Sequence, residues 1–156
     1  MVEASRDSAT LRSIRTLLLI SLGIGITGTA GELALLGHVE SATQWIPLLA
    51  LALSVPVLLW HVAAPGRASV RALRLLMMAF IAVGIIGVAL HYDGNVEFER
   101  ELHPKDEGMT FLAHVMAGAT PVLAPGSMVL LGLVGIAHAY RHPAAARGAD
   151  SKETVS

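Results

Sequence analysis

The sequence predicts an all-α integral membrane protein, an up-down bundle of four transmembrane helices with both termini cytoplasmic. Three observations predict it. The chain of 156 residues is 54% hydrophobic and only 15% charged, whereas a soluble domain carries about 25% charged residues to cover its surface. The apolar residues gather into four long segments, near the roughly 17–25 residues that a helix needs to cross a bilayer. Arginines sit before the first segment, between the second and third, and after the fourth. The positive-inside rule puts those three places on one side, and so gives four crossings of a plasma (inner) membrane.

The first segment runs from Leu17 to about Leu36, with Arg6, Arg12 and Arg15 ahead of it. A secretory signal is the rival reading, but the apolar run exceeds the 7–15 residues of a signal core. Cleavage after the small residues near Ala30 would also discard half the helix. The second segment, Trp45 to His61, is the shortest and carries a tryptophan at either end, the level that amphipathic rings favour. The third covers Val70 to Leu90, preceded by Arg67. The fourth, Phe111 to Ala139, is too long for an untilted span and holds Pro121 and Pro125. Each proline removes a helix hydrogen bond and clashes with the preceding turn, so a kink or break is expected there, as at Pro56 in the second segment. Residues 1–14 read as a cytoplasmic tail, 15–140 as the membrane domain and 141–156 as a disordered cytoplasmic tail.

Several classes of function fall away. A net charge of −1 offers no pull towards nucleic acid, and the absence of cysteine excludes disulfides, thiolate metal sites and c-type haem attachment. No nucleophile-elbow or phosphate-loop motif points to an enzyme. The expected partners are the lipid bilayer and a second copy or a larger membrane complex.

Close helix packing in lipid relies on small residues, and three stripes of them can be traced. Gly23, Thr27, Gly31 and Ala34 lead to His38; Gly84 and Gly87 lead to His91; His114 heads a stripe through Gly118, Pro121, Pro125, Gly132 and Gly135. All three histidines fall at the outer membrane level. His103 and acids including Glu97 hang over them in the connecting stretch HYDGNVEFERELHPKDEGMTFLAH, whose alternating glutamates fit an extended strand or a solvated loop. Glu32 lies inside an apolar run, where a carboxylate is expensive, so it should face the bundle interior with His91 or His114 as partner.

The candidate metal ligands are therefore His38, His91, His103, His114, Glu32 and Glu97. Imidazoles with carboxylates suit a divalent metal ion, with Met109 and Met116 softening the set towards copper, and bis-histidine haem is the second cofactor considered. His61 and His138 read as markers of the inner interface and His142 as part of the basic tail. The plainer account is that histidine is cheap at an interface and that acids simply stay wet. Two other functions stay open. One is a non-catalytic accessory subunit docking through the acidic loop. The other is a small proton-coupled carrier, in which Glu32 and His114 exchange protons beside the interrupted stretch GATPVLAPG.

Overall fold

The computed structural model describes residues 2–37, 42–118, 120 and 122–146. Every regular element among them is helical. Three helices are long and apolar enough to cross a membrane: α1 (Val2–Leu35), α2 (Ala42–Ala63) and α3 (Arg67–Leu102). The fourth apolar segment forms two shorter helices, α4 (Gly108–Ala117) and α5 (Gly126–Ala139), and a single turn, α6 (Pro143–Ala146), follows.

The local rules behind these boundaries are simple. α1 closes on Gly37, whose φ of 63° is left-handed. The Gly37 N–H bonds back to the Ala34 carbonyl, as a glycine beyond a helix end commonly does. At the start of α3, the Ser69 hydroxyl reaches back and accepts the Gly66 N–H at 3.0 Å. α2 continues through Pro47 and Pro56 without the break that Pro56 allows, and α1 already begins at Val2.

α3 is the central element, packing against α2, α4, α5 and α6, while α1 lies against α5 and α2. Its buried positions Leu73, Met77, Phe80, Gly84, Asn95 and Glu99 step by threes and fours, with Gly87 and His91 half-buried on the same line. That is one helical seam. At 36 residues α3 is about 54 Å long, well beyond a hydrocarbon core of about 30 Å. The stretch expected as strand or loop after Leu90 is instead its continuation. This changes which glutamates share a face: on a strand Glu97, Glu99 and Glu101 would line up, but on a helix Glu97 and Glu99 lie some 200° apart. Glu99 is buried and Glu97 exposed.

Two of the three small-residue stripes hold the bundle together. A Cβ on Gly84 would stand 2.7–2.9 Å from Val129 and the Pro125 carbonyl, and one on Gly87 would stand 2.7 Å from the Pro125 ring. From the other side, a Cβ on Gly132 would stand 2.6 Å from the Met77 carbonyl. These glycines let α3 and α5 approach almost backbone to backbone. The stripe on α1 does not do this. Gly23 and Gly31 face open space, and Gly25, off the stripe, packs beneath Leu131.

The break in the fourth segment has a definite partner. Asn95, 2% exposed, projects from α3 into the gap between α4 and α5. Its Nδ2 donates to the carbonyls of Val115 at 2.9 Å and Thr120 at 2.7 Å. Its Oδ1 accepts from the Thr120 N–H at 3.2 Å and hydroxyl at 2.8 Å. One amide side chain thus fills its full hydrogen-bonding capacity on backbone and side-chain groups that the interrupted helix leaves free. Gly118 gives it room: a Cβ there would lie 3.0 Å from the Asn95 amide. Pro121 lies outside the described residues.

Candidate metal centres

Two groups of ligating side chains assemble among the described residues, one near each end of α3. At the acidic end, Glu99 and His103 sit one helical turn apart, with His103 just beyond the last residue of α3. The connecting turn supplies Asp106 and α4 supplies His114. His103 Nδ1 donates to Glu99 Oε2 at 2.8 Å, and the His103 and His114 ring centroids are 4.7 Å apart. One ligating atom from each of Glu99, His103 and His114 lies within 4.8 Å of the other two.

His114 is the unusual member. Its Nδ1 stands 2.9 Å from Asp106 Oδ2, yet the alignment is not that of a hydrogen bond, and this buried nitrogen has no hydrogen-bond partner. Distance and direction disagree here, and direction decides: an imidazole edge off-axis to a carboxylate gains charge attraction only when the ring is protonated. A cation between the two groups would satisfy both.

At the basic end, α2 contributes His61, α5 contributes His138, and the turn before α6 brings in His142. His61 and His138 are each 3% exposed, with their Nε2 atoms 3.0 Å apart. The His142 ring centroid is 5.0 Å from that of His61 and 5.4 Å from that of His138. Arg141 takes a left-handed φ of 44°, the one non-glycine residue among those described to do so, and this turn folds His142 back over the other two rings. Arginines tie the same end together by satisfying carbonyls that a helix C-terminus leaves free. Arg74 Nη2 donates to the Ala139 carbonyl at 2.6 Å and Arg15 Nη2 to that of Arg141 at 3.3 Å. Burial first, then the neighbouring His61, His138, Arg15 and Arg74, push His142 down to about 4. Near neutral pH it is therefore uncharged, and its Nδ1 accepts the Ala144 N–H at 3.3 Å, which leaves its proton on Nε2.

The expected ligands are distributed differently from the sequence reading. His103 and His114 do come together. His91 does not join them: it lies twelve residues before His103 on the same helix, about 18 Å along the axis. Glu97 points away from Glu99 for the reason given above. Glu32 is exposed and lines an open groove on α1 with Gly23, Thr27, Gly28 and Gly31, off the face on which Leu22 and Ile26 are buried. It therefore meets neither His91 nor His114. His38 lies outside the described residues. Met109 is 78% exposed and Met116 38%, and the side chains that come together, Glu99, His103 and His114, offer nitrogen and oxygen.

His142 is corrected from tail residue to a member of a three-histidine group. Two sequence signals could have flagged these groups: Glu99 and His103 are spaced i, i+4, and so are His138 and His142. Bis-imidazole haem fits neither group. Two axial bonds of about 2 Å each would set opposed nitrogens some 4 Å apart with a macrocycle between them, and rings whose centroids lie 4.7–5.4 Å apart leave no room for one.

No family model matches this sequence, and no curated protein or solved structure is similar enough to lend it a function.

Proposed function

We propose that this is a multi-pass integral membrane protein that holds a divalent transition-metal ion at its acidic end, through Glu99, His103 and His114 with Asp106 beside them. The observation that carries the metal reading is the buried, unpartnered Nδ1 of His114 facing a carboxylate. Orphaned buried polar groups are rare, and an ion is one of the few things that accounts for them. Mixed imidazole and carboxylate donors suit the zinc, nickel and iron class rather than copper(I).

The membrane reading rests on what the bundle leaves uncovered. Leu17, Ile24, Leu59 and Ile85 are each 58–69% exposed, a surface suited to lipid and poorly suited to water. In this reading α1, α2 and residues 70–90 of α3 cross the bilayer. α5 completes the fourth crossing, because its start at Pro125 and Val129 lies level with Gly84 and Gly87. The rest of α3, with α4, stands above the membrane as a two-helix cap. The basic residues at the other end make the cap the outer side, and the metal site then opens to water outside.

Metal analysis of detergent-purified protein tests the reading. Glu99→Gln and His114→Ala should each bind about one equivalent of Zn²⁺ fewer than the unmodified chain, and Glu97→Gln should bind as much as the unmodified chain. A metal-free protein whose melting temperature ignores added Zn²⁺ would sink it.

A further inference from the structure

We infer that His61, His138 and His142 form a second metal site, an all-imidazole centre at the basic end that takes a borderline divalent cation of the zinc class. It is independent of the acidic-end site: it shares no residue with it and is assembled by different helices.

The tautomers carry the inference. His138 Nδ1 lies 2.9 Å from the Arg15 carbonyl. A carbonyl only accepts, so the proton of neutral His138 sits on Nδ1 and its Nε2 presents a lone pair. That lone pair faces His61 Nε2 at 3.0 Å. His61 Nδ1 in turn lies 3.4 Å from the Ser69 hydroxyl, whose oxygen has room to accept a second donor. With His61 in that tautomer, two lone pairs confront each other across 3.0 Å in a buried site. Without an ion, His61 instead carries its proton on Nε2 and donates it to His138. A metal ion takes the place of that shared proton, and the ring nitrogens on the far side already have the outer partners that ligating histidines use to fix their orientation.

The spacing agrees. Bonds of about 2.0–2.1 Å at tetrahedral angles separate ligand nitrogens by about 3.3 Å, and a small rotation of either ring from 3.0 Å reaches it. All three histidines offer a nitrogen within 4.8 Å of the others, and His142 gives up the Ala144 N–H that its Nδ1 accepts at 3.3 Å when it joins the ion. The left-handed Arg141 is the backbone feature that brings the third one in. Unfavourable backbone of this kind concentrates at functional sites. Three protein ligands leave one coordination position, and the rings border a cavity of about 350 Å³ that Arg12 and Arg15 also line. A small anion would fit that position, with the guanidiniums balancing its charge.

The experiment uses the full chain in detergent, with Zn²⁺ alone as titrant and Cu²⁺ as spectroscopic probe. The double variant His103→Ala/His114→Ala removes the acidic-end ligands. It should still bind one equivalent of Zn²⁺, and its bound Cu²⁺ should show hyperfine coupling to three nitrogens. Adding His142→Ala should weaken Zn²⁺ binding by more than about 100-fold, beyond the 10–100-fold that loss of an outer partner costs. Ser69→Ala removes the outer partner of His61 together with the cap of α3, and should cost about 10-fold in affinity. His138→Gln keeps a donor for the Arg15 carbonyl and serves as a second probe that preserves the fold. Zn²⁺ binding that is absent from the double variant, or that survives His142→Ala and His138→Gln together, overturns the second site. Loss of metal from His114→Ala in the otherwise intact chain bears only on the first.

Discussion

The acidic and basic ends of α3 carry histidine groups of similar size that are built in opposite ways. At the acidic end, two helices and a turn bring imidazoles to carboxylates, and His103 stays exposed. At the basic end, helices α2 and α5 and a strained turn bring imidazoles to each other, with His61 and His138 almost fully buried. A carboxylate cannot be buried cheaply without a partner. A neutral imidazole can, provided its N–H finds an acceptor such as the Arg15 carbonyl. Mixed ligands therefore gather where α3 leaves the apolar bundle, and uniform imidazoles gather inside it. The two ends are also held by different devices. Gly132 and Gly135, against Met77, hold α5 to α3 on the way to the basic end, and the Asn95 amide sets the acidic one.

That difference makes the ends separable. The largest effect on the basic end should come from Gly132→Leu, because a side chain 2.6 Å from the Met77 carbonyl must push α5 off α3. Overpacking of this kind costs about 1–3 kcal/mol or more. Zn²⁺ binding should be lost at the basic end and kept at the acidic end, read by titration in the background of each site's knock-out. If both ends lose metal together, they are one cooperative unit.

Asn95→Ala is the reverse probe. It strands the Val115 and Thr120 groups, each at about 1–3 kcal/mol when left buried and unsatisfied. Melting should fall by several degrees, and the acidic end should lose its metal while the basic end keeps it.

Acid should act on the basic end next. His142 is held to about 4 against a usual 6.5, so the unfolded chain takes up its proton more readily than the folded one. The stability this contributes is complete above about pH 6.5 and is lost as pH falls from 6.5 towards 4. Melting curves of the unmodified chain should therefore drop over that interval more than those of His142→Ala. Parallel curves would mean that the ring is not held neutral.

Glu32→Gln should have the smallest effect. It lies on the open groove of α1, remote from both groups, so fold and metal content should not change. A loss of metal at either end would place Glu32 in a site after all.

Much of the helical layout is legible in the order of amino acids. The composition demands helices, the periodicity of Gly84, Gly87, Gly132 and Gly135 marks the face on which α3 and α5 meet, and Pro125 marks the interruption. Such features depend on local sterics and on the 3.6-residue period. The candidate site is legible only in pieces. The sequence pattern points to His103 and His114, but it favours Glu97 over Glu99, brings His91 a dozen residues too near, and leaves the group at the basic end as interface and tail residues. Asn95 gives no signal, since one amide in a polar stretch resembles any other.

The chain alone thus decided that there would be apolar helices, where the fourth would break and, on α3 and α5 though not on α1, which glycines would let backbones meet. Only the tertiary arrangement decided which imidazoles face one another. That choice depends on where α3 stops, on its rotation about its axis and on one left-handed residue. A shift of a single position turns a helical side chain by about 100°, enough to move a ligand from a site into solvent, while leaving composition and hydropathy almost untouched.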